Sequence, residues 1–282
     1  AWLRKGPIGA GEDTDWRSLI YIPGGWNLRP TVSDLDGDGI ADLVMVDDQP
    51  SGDRTRCAQV FSGADLGLHE EGAVLTDEDA ASRLDCMVDT TYSAENEVVG
   101  QTSRVHLAHA EDLDDDGYTD IFVGHRNGWS AFQGDGLASP GPVDPHSKLY
   151  APFCESWSGV VDAAFERQPG GPLVWAAALG GPPDCPEGLN VFRGRVALFQ
   201  DWQWVDASLD DAASWVAWEP DDWEATYGPQ DYLRPNPLSL AFSHEVDQQP
   251  RLWIGHPTWF EFESGAIGFL AAYNLYDILP QP

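Results

Sequence analysis

The 282-residue chain carries 47 acidic residues against 15 Lys and Arg, which gives a formal net charge of −32. Because such a charge repels phosphate groups, we expect no binding to nucleic acid or to an anionic membrane surface. No run of about 20 apolar residues occurs, so the sequence predicts no segment that spans a membrane.

Short apolar and aromatic runs, separated by 29 Gly and 21 Pro residues, extend along the whole chain. This pattern, together with the lack of a long amphipathic helical pattern, predicts an all-β fold. The first run is SLIYI, within residues 1–30. We interpret residues 1–30 as one or two strands that precede the first complete repeat.

Residues 34–46, with the sequence DLDGDGIADLVMV, combine regularly spaced acids with an apolar run. The acids at positions 1, 3, 5 and 9 are Asp34, Asp36, Asp38 and Asp42. Four close carboxylates repel one another unless a cation neutralises them, and hard oxygen ligands suit Ca²⁺. Gly39 at position 6 permits the positive φ of a tight loop, and the carbonyl of Ile40 at position 7 is predicted to complete the coordination.

The same pattern recurs in DLDDDGYTDIFVG, which begins at residue 112. Its acids at positions 1, 3, 5 and 9 are Asp112, Asp114, Asp116 and Asp120, and its carbonyl ligand at position 7 would come from Tyr118. One copy alone could be a solvated acidic turn, but two matched copies argue against that interpretation. An EF-hand is disfavoured because position 12 is Met45 or Val123 rather than Glu. Both loops instead lead into a predicted buried strand.

The two segments resemble the FG-GAP/VCBS repeats of integrin-α-like β-propellers, in which a D-x-D-G-D-G-x-x-D-L loop joins the first two strands of a blade. Three further strings are similar to the next strand and turn of such a blade: VFSGAD (60–65), AFQGDG (131–136) and VFRGRV (191–196). The resemblance covers the two loops and their flanks. It implies a β-propeller with two Ca²⁺ sites, each between the first two strands of a blade.

Strand starts at Leu43, Ile121, Leu173 and Leu252 align as four copies of the repeat. With residues 1–30 ahead of them, they predict one domain over 1–282, a propeller of about four to five blades. The third copy has Ala164, Glu166, Gln168 and Pro172 in place of the acids, and the fourth has Ser243, Glu245, Asp247 and Arg251. Neither is expected to bind Ca²⁺, and in the fourth the Arg251 guanidinium is predicted to substitute for the ion by pairing with Glu245 and Asp247.

The aligned starts lie 78, 52 and 79 residues apart, so the two long intervals contain insertions. We place these insertions at about 66–104, with a short helix at 78–84, and at about 205–236. Insertions of this kind often carry the binding function of a propeller. The tail GAIGFLAAYNLYDIL has the length and composition of a closing strand pair.

The four cysteines fall as two pairs, and the two members of each pair are about 30 residues apart in sequence. They lack the spacing of a zinc or thioredoxin-like motif. They predict the disulfides Cys57–Cys86 and Cys154–Cys185, and four buried free thiols are the alternative. Disulfides together with weak Ca²⁺ sites indicate an extracellular, cell-surface or periplasmic location.

The sequence contains no recognisable catalytic motif, and repeated His125 and His256 are more typical of hydrogen-bonded structural residues. Among 13 tryptophans, Trp202 and Trp204 alternate with polar residues as on one face of a strand. Trp218 and Trp223, set among acids, are predicted to be exposed binding residues; the alternative is that they are core.

These features favour a secreted or surface-displayed, Ca²⁺-stabilised propeller that is a non-catalytic binding or assembly module of the adhesion type. Its expected partner is a protein or a glycan, and the chain would be a subunit of a larger surface assembly. The alternative is a polysaccharide-active propeller enzyme or a glycan-binding lectin, since tryptophans and abundant carboxylates suit both.

Overall fold

In the computed structural model the residues that the structure describes are mostly in β-strands, as the sequence predicts. The structure describes residues 2–4, 19–21, 30–46, 56–66, 68, 73–86, 90–92, 98–101, 105–125, 128–137, 141–150, 159–167, 172–180, 195–207, 211–217, 239–243, 250–258 and 267–279. No helix within these ranges is both long and apolar enough to cross a bilayer. The chain divides into two compact units, residues 1–123 with 130–146, and residues 124–129 with 147–282.

The first large sheet has five strands in the order β12, β6, β5, β4, β3. Their bounds are β3 Pro30–Ser33, β4 Asp42–Val46, β5 Arg56–Phe61, β6 Ser82–Asp85 and β12 Gly141–Val143. Strands β3 to β6 form an antiparallel meander, whereas β12 comes much later in the chain and pairs in parallel with β6.

The second large sheet has the strand order β13, β11, β10, β9. Its strands are β9 Val105–Glu111, β10 Asp120–His125, β11 Gly128–Phe132 and β13 Ser147–Tyr150. A loop of eight residues joins β9 to β10 in this sheet, and a loop of the same length joins β3 to β4 in the first sheet.

The third and fourth large sheets are antiparallel and lie in the unit that contains residues 147–282. The third consists of β14 Gly159–Arg167, β15 Leu173–Gly180, β16 Arg195–Gln200 and β17 Ser214–Ala217. The fourth consists of β18 Ser239–Ser243, β19 Arg251–Thr258 and β20 Ile267–Asn274. The strands predicted to start at Leu43, Ile121, Leu173 and Leu252 are thus the second strand, in chain order, of the four sheets.

Two small ribbons, two short α-helices and two 3₁₀ turns, Asp77–Asp79 and Gly134–Gly136, complete the described elements. The ribbons pair β1 Trp2–Arg4 with β2 Leu19–Tyr21, and β7 Thr90–Tyr92 with β8 Val98–Gln101. The helices are α1 Gly63–Leu66 and α2 Leu275–Ile278.

Strand β4 explains why the run after the first acid loop is continuously apolar rather than alternating. Its side chains are all buried. Leu43 and Met45 pack with Phe61 and Leu75, whereas Val44 belongs to the main core of the first unit. A strand covered on both faces has no solvent side to carry polar residues.

Each unit has a core formed between two large sheets. In the first, residues of β4 and β5 pack with residues of β9 and β10, and Thr31 donates a 2.7 Å hydrogen bond to the carbonyl of Ala108. In the second, Val174 and Leu198 pack with Leu252 and other residues of the fourth sheet. The two apolar faces in each unit are therefore buried against each other.

Two local predictions are wrong. The predicted helix at 78–84 is a 3₁₀ turn, Asp77–Asp79, followed by strand β6. Pairing with β5 and a hydrogen bond from the Ser82 hydroxyl to the carbonyl of Leu137 hold this segment extended. The tail is not a strand pair, because only β20 is a strand and helix α2 follows it.

Candidate metal centres

The two acid loops occupy the same place in their sheets. One joins β3 to β4 and the other joins β9 to β10, so each connects the first two strands of a meander. This confirms the predicted order of strand, acid loop and strand in both copies.

In the first loop, carboxylates accept hydrogen bonds from the loop's own backbone. Asp34 accepts from the N–H groups of Gly37 and Gly39, both at 2.9 Å. Asp38 accepts from Ile40 N–H at 2.7 Å. The two glycines have φ values of 75° and 82°, a left-handed conformation that glycine adopts without strain. The backbone thus folds around the first carboxylate.

The second loop repeats this scheme with different residues. Asp112 accepts from Asp115 N–H at 2.7 Å and from Gly117 N–H at 3.1 Å. Asp116 accepts from Tyr118 N–H at 2.8 Å. Asp115 takes the place of Gly37 and has a φ of 67°, which Asp tolerates better than most residues. Two different sequences therefore produce the same loop geometry.

The ninth-position acids, Asp42 and Asp120, are 3% and 1% exposed and tie each loop to a distant turn. Asp42 accepts 2.8 Å hydrogen bonds from the N–H groups of Leu35 and Gly63. Asp120 accepts bonds of the same length from Leu113 and Gly134. Each carboxylate therefore joins the start of the acid loop to the turn after the third strand.

Gly63 and Gly134 are functional positions that the sequence reasoning did not single out. A Cβ on Gly63 would lie 2.2 Å from the carbonyl oxygen of Ala41, and one on Gly134 would lie 2.4 Å from that of Thr119. Only glycine lets the turn approach the loop this closely. The signal was present in the strings VFSGAD and AFQGDG, which were interpreted only as strand and turn.

Carboxylate oxygens within each loop are close enough to share one ion. Oxygens of Asp34, Asp36 and Asp42 lie within 4.8 Å of one another in the first loop. Those of Asp112, Asp114 and Asp116 do so in the second. Since Ca²⁺–oxygen distances are about 2.3–2.6 Å, oxygens about 5 Å apart or less can bind the same ion.

The donor set fits Ca²⁺ in chemistry, because Ca²⁺ prefers oxygen ligands. Each loop brings together three carboxylates, and a carboxylate oxygen that accepts one N–H retains a second lone pair for a cation. The structure does not place Asp38 and Asp120 in these groups, although both lie in the loops. The carbonyls of Ile40 and Tyr118 stay predicted ligands.

Burial raises the pKa of the Asp120 carboxyl from 3.8 to about 7, and repulsion from Asp114 and Asp116 acts in the same direction. The hydrogen bonds from Gly134 and Leu113 lower the pKa but do not offset the burial. A bound cation would favour the ionised form, because opposite charge stabilises a carboxylate. The loop is thus electrostatically suited to a cation.

The remaining predicted site residues have mixed outcomes. The Cys57–Cys86 disulfide is confirmed, and both residues are buried in the core of the first unit. The residues that lie outside the described ranges are Cys154, Cys185, Trp218, Trp223, Gln168, Glu245 and Asp247. In the third sheet, Ala164 and Glu166 lie within β14, where they pair with β15 instead of forming a loop. The strand prediction for Trp202 and Trp204 is wrong, because β16 ends at Gln200.

No protein-family model, curated protein or solved structure matches this chain.

Proposed function

We propose that this chain is a Ca²⁺-stabilised β-propeller of the FG-GAP/VCBS type that acts outside the cytoplasm as a non-catalytic binding or assembly module. The two matched acid loops are the observation that carries the proposal. They share a hydrogen-bond scheme, a position between first and second strands, and a buried ninth-position Asp.

The sheets support a propeller in their connectivity. In the first, third and fourth large sheets the first three strands in chain order pair antiparallel, and in all four sheets the aligned repeat strand is second in chain order. Within each unit two such sheets bury their apolar faces against each other. Repeated four-stranded meanders that pack face to face are the building principle of propeller blades.

The location outside the cytoplasm is supported by the Cys57–Cys86 disulfide, because cytosolic thiols are kept reduced. It also agrees with weak Ca²⁺ sites, since extracellular modules bind Ca²⁺ with dissociation constants of about 0.1–1 mM. The ion would neutralise the loop carboxylates and fix the turns that follow the third strands. In this role it stabilises the fold, and the partner is recognised elsewhere on the surface.

Calorimetry tests the metal proposal directly. Titration of Ca²⁺ should report two sites, and chelator should lower the melting temperature, because the ion binds the folded loop and not the unfolded chain. Asp36→Ala or Asp114→Ala should each remove one site and lower stability in Ca²⁺ while changing it little in chelator. Asp144→Ala, an exposed acid outside both loops, is the matched control. Absence of Ca²⁺ binding together with a melting temperature indifferent to chelator would refute the proposal.

The alternative function, a polysaccharide-active enzyme or a lectin, is supported by the tryptophans and acids in and next to the 205–236 insertion. A glycan array combined with a reducing-sugar assay separates the possibilities. Binding without turnover indicates a lectin. Turnover that a single carboxylate substitution abolishes indicates an enzyme and overturns the non-catalytic proposal.

A further inference from the structure

A cavity of about 380 Å³ lies in the unit that contains residues 147–282. Its apolar wall comes from Trp129 on β11, Trp175 on β15, Phe199 on β16 and Trp202 just after β16. None of the residues that line the cavity belongs to either acid loop.

The tryptophans form a tight aromatic floor. Their ring centroids are 5.2–5.6 Å apart in all three pairs among Trp129, Trp175 and Trp202. Phe199 stacks on Trp175 at 4.0 Å with an interplanar angle of 10°. Trp129 and Trp175 are buried, whereas Trp202 is only partly buried. The packed rings leave no room for a ligand between them, so a ligand would rest on the floor.

One side of the cavity, residues 201–207, is held by hydrogen bonds to strand β13. Ala207 N–H donates to the carbonyl of Lys148 at 2.9 Å, and the Ser147 hydroxyl donates to the carbonyl of Val205 at 2.5 Å. Leu149 and Ala207 also form an isolated parallel bridge. The irregular segment 201–207 is therefore fixed where it borders the cavity.

The polar rim is acidic. Its carboxylates come from Asp201, Asp206 and Asp211, and no Lys, Arg or His is among the lining residues that the structure describes. The Lys148 ammonium lies 3.9 Å from Asp206, in a pair whose side chains are 25% and 65% exposed, and it offsets part of the negative charge of the rim. The rim thus repels anions and attracts cations, as does the whole chain with its charge of −32.

Asp201 is one of two non-glycine residues with positive φ in the described part of the chain, at 59°. Its N–H donates to the carbonyl of Leu173 at 2.9 Å, which closes the end of the β15–β16 hairpin. Asn adopts this conformation as readily as Asp, so Asp201→Asn removes the charge and retains the turn.

We propose that this cavity binds an organic cation with an apolar body, a quaternary ammonium group or a closely similar alkylated ammonium. The partly exposed indole of Trp202 attracts a cation through its quadrupole, and the methyl groups of such a ligand pack on the aromatic floor. The rim carboxylates supply the opposite charge without demanding a fixed hydrogen-bond geometry. A neutral sugar could stack on the same floor and donate hydroxyl hydrogen bonds to the carboxylates, but it carries no charge that the acidic rim would attract.

Titration calorimetry with choline chloride tests the proposal, and 3,3-dimethylbutan-1-ol is the neutral control of the same shape. Choline should bind at least about 5-fold more tightly than the alcohol, because only the cation interacts with the rings and carboxylates electrostatically. Rising NaCl concentration should weaken choline binding. Binding of a trimethyllysine peptide, compared with binding of the unmodified peptide, shows whether the bound cation can be part of a protein side chain.

Asp201→Asn should weaken choline binding by about 2- to 5-fold, the range for one solvent-accessible ion pair, with an unchanged melting temperature. Asp144→Asn, an exposed acid outside the cavity, should leave binding unchanged. Trp202→Leu should weaken binding of choline and of the peptide alike. Equal binding of choline and the alcohol, no effect of Asp201→Asn, or no choline binding would each overturn the proposal. Binding of cellohexaose in preference to choline would make the cavity a glycan site instead.

Discussion

Substituting Gly63 by Ala tests whether the acid loop and the turn after β5 act as one structure. The added Cβ would lie 2.2 Å from the carbonyl oxygen of Ala41 and 2.8 Å from a methyl carbon of Ile40. Ordinary contacts begin near 3.4 Å, so the backbone of the turn or loop must shift by about 1 Å. The same shift would stretch the 2.8 Å hydrogen bond from Gly63 N–H to Asp42.

The expected loss of stability follows from the steric overlap and from the weakened hydrogen bond to Asp42. Overpacking costs about 1–3 kcal/mol, and a hydrogen bond to a charged group contributes about 1.5–3 kcal/mol. We expect Gly63→Ala to lower the free energy of unfolding by about 3–5 kcal/mol and to weaken Ca²⁺ binding at the first loop. Gly134→Ala should do the same at the second loop, where the Cβ would lie 2.4 Å from the Thr119 carbonyl oxygen.

The matched control is Gly39→Ala in the acid loop itself. An added Cβ there meets no heavy atom within 4 Å, so only its φ of 82° opposes the change. That conformation costs an L-residue about 1–2 kcal/mol. Urea denaturation followed by tryptophan fluorescence, in Ca²⁺ and in chelator, measures all three variants. If Gly63→Ala costs no more than Gly39→Ala, the inferred close approach of turn and loop is wrong.

Three further predictions concern the disulfide, the pH dependence and the second insertion. Replacing Cys57 and Cys86 by Ser should cost about 3–4 kcal/mol, the loop-closure value for about 30 residues, as measured by urea denaturation with and without reductant. In chelator, native Asp120 retains its proton up to about pH 7 while the unfolded chain releases it near 3.8, so stability should fall as pH rises through this window. The Asp120→Asn variant should lack this loss of stability with rising pH. If the free energy of unfolding changes equally with pH in both proteins, the reasoning is wrong. Trp218→Ala or Trp223→Ala should weaken partner or glycan binding by about 1–3 kcal/mol with little change in melting temperature; strong destabilisation would instead identify them as core.

Local sequence patterns determined the strand content and the loops. The two acid loops combine ligand type, spacing and a left-handed glycine within nine residues, so their geometry depends little on the rest of the chain. The apolar runs that begin at Leu43 and Leu173 are continuous because both faces of β4 and β15 are buried. The Cys57–Cys86 pairing was also predictable, since the two cysteines are close in sequence.

Local sequence patterns did not predict the structure where contacts with a segment distant in sequence determine it. Residues 78–84 have a helical composition, but strand β5 and the carbonyl of Leu137 hold Ser82 in an extended conformation. Strand β12 follows the second acid loop and yet pairs in parallel with β6 of the first sheet. No periodicity within either segment encodes such a pairing.

The sequence by itself therefore determined the all-β class, the positions of four repeat strands and the carboxylates of the two acid loops. Only the tertiary structure determined that Asp42 accepts a hydrogen bond from Gly63 N–H and that Asp120 accepts one from Gly134 N–H. It also decided that Trp129 and Trp202, separated by more than 70 residues, form one aromatic floor. The physical reason is that loops and strands follow local steric and periodic rules, whereas contacts between them depend on how whole sheets bury their faces.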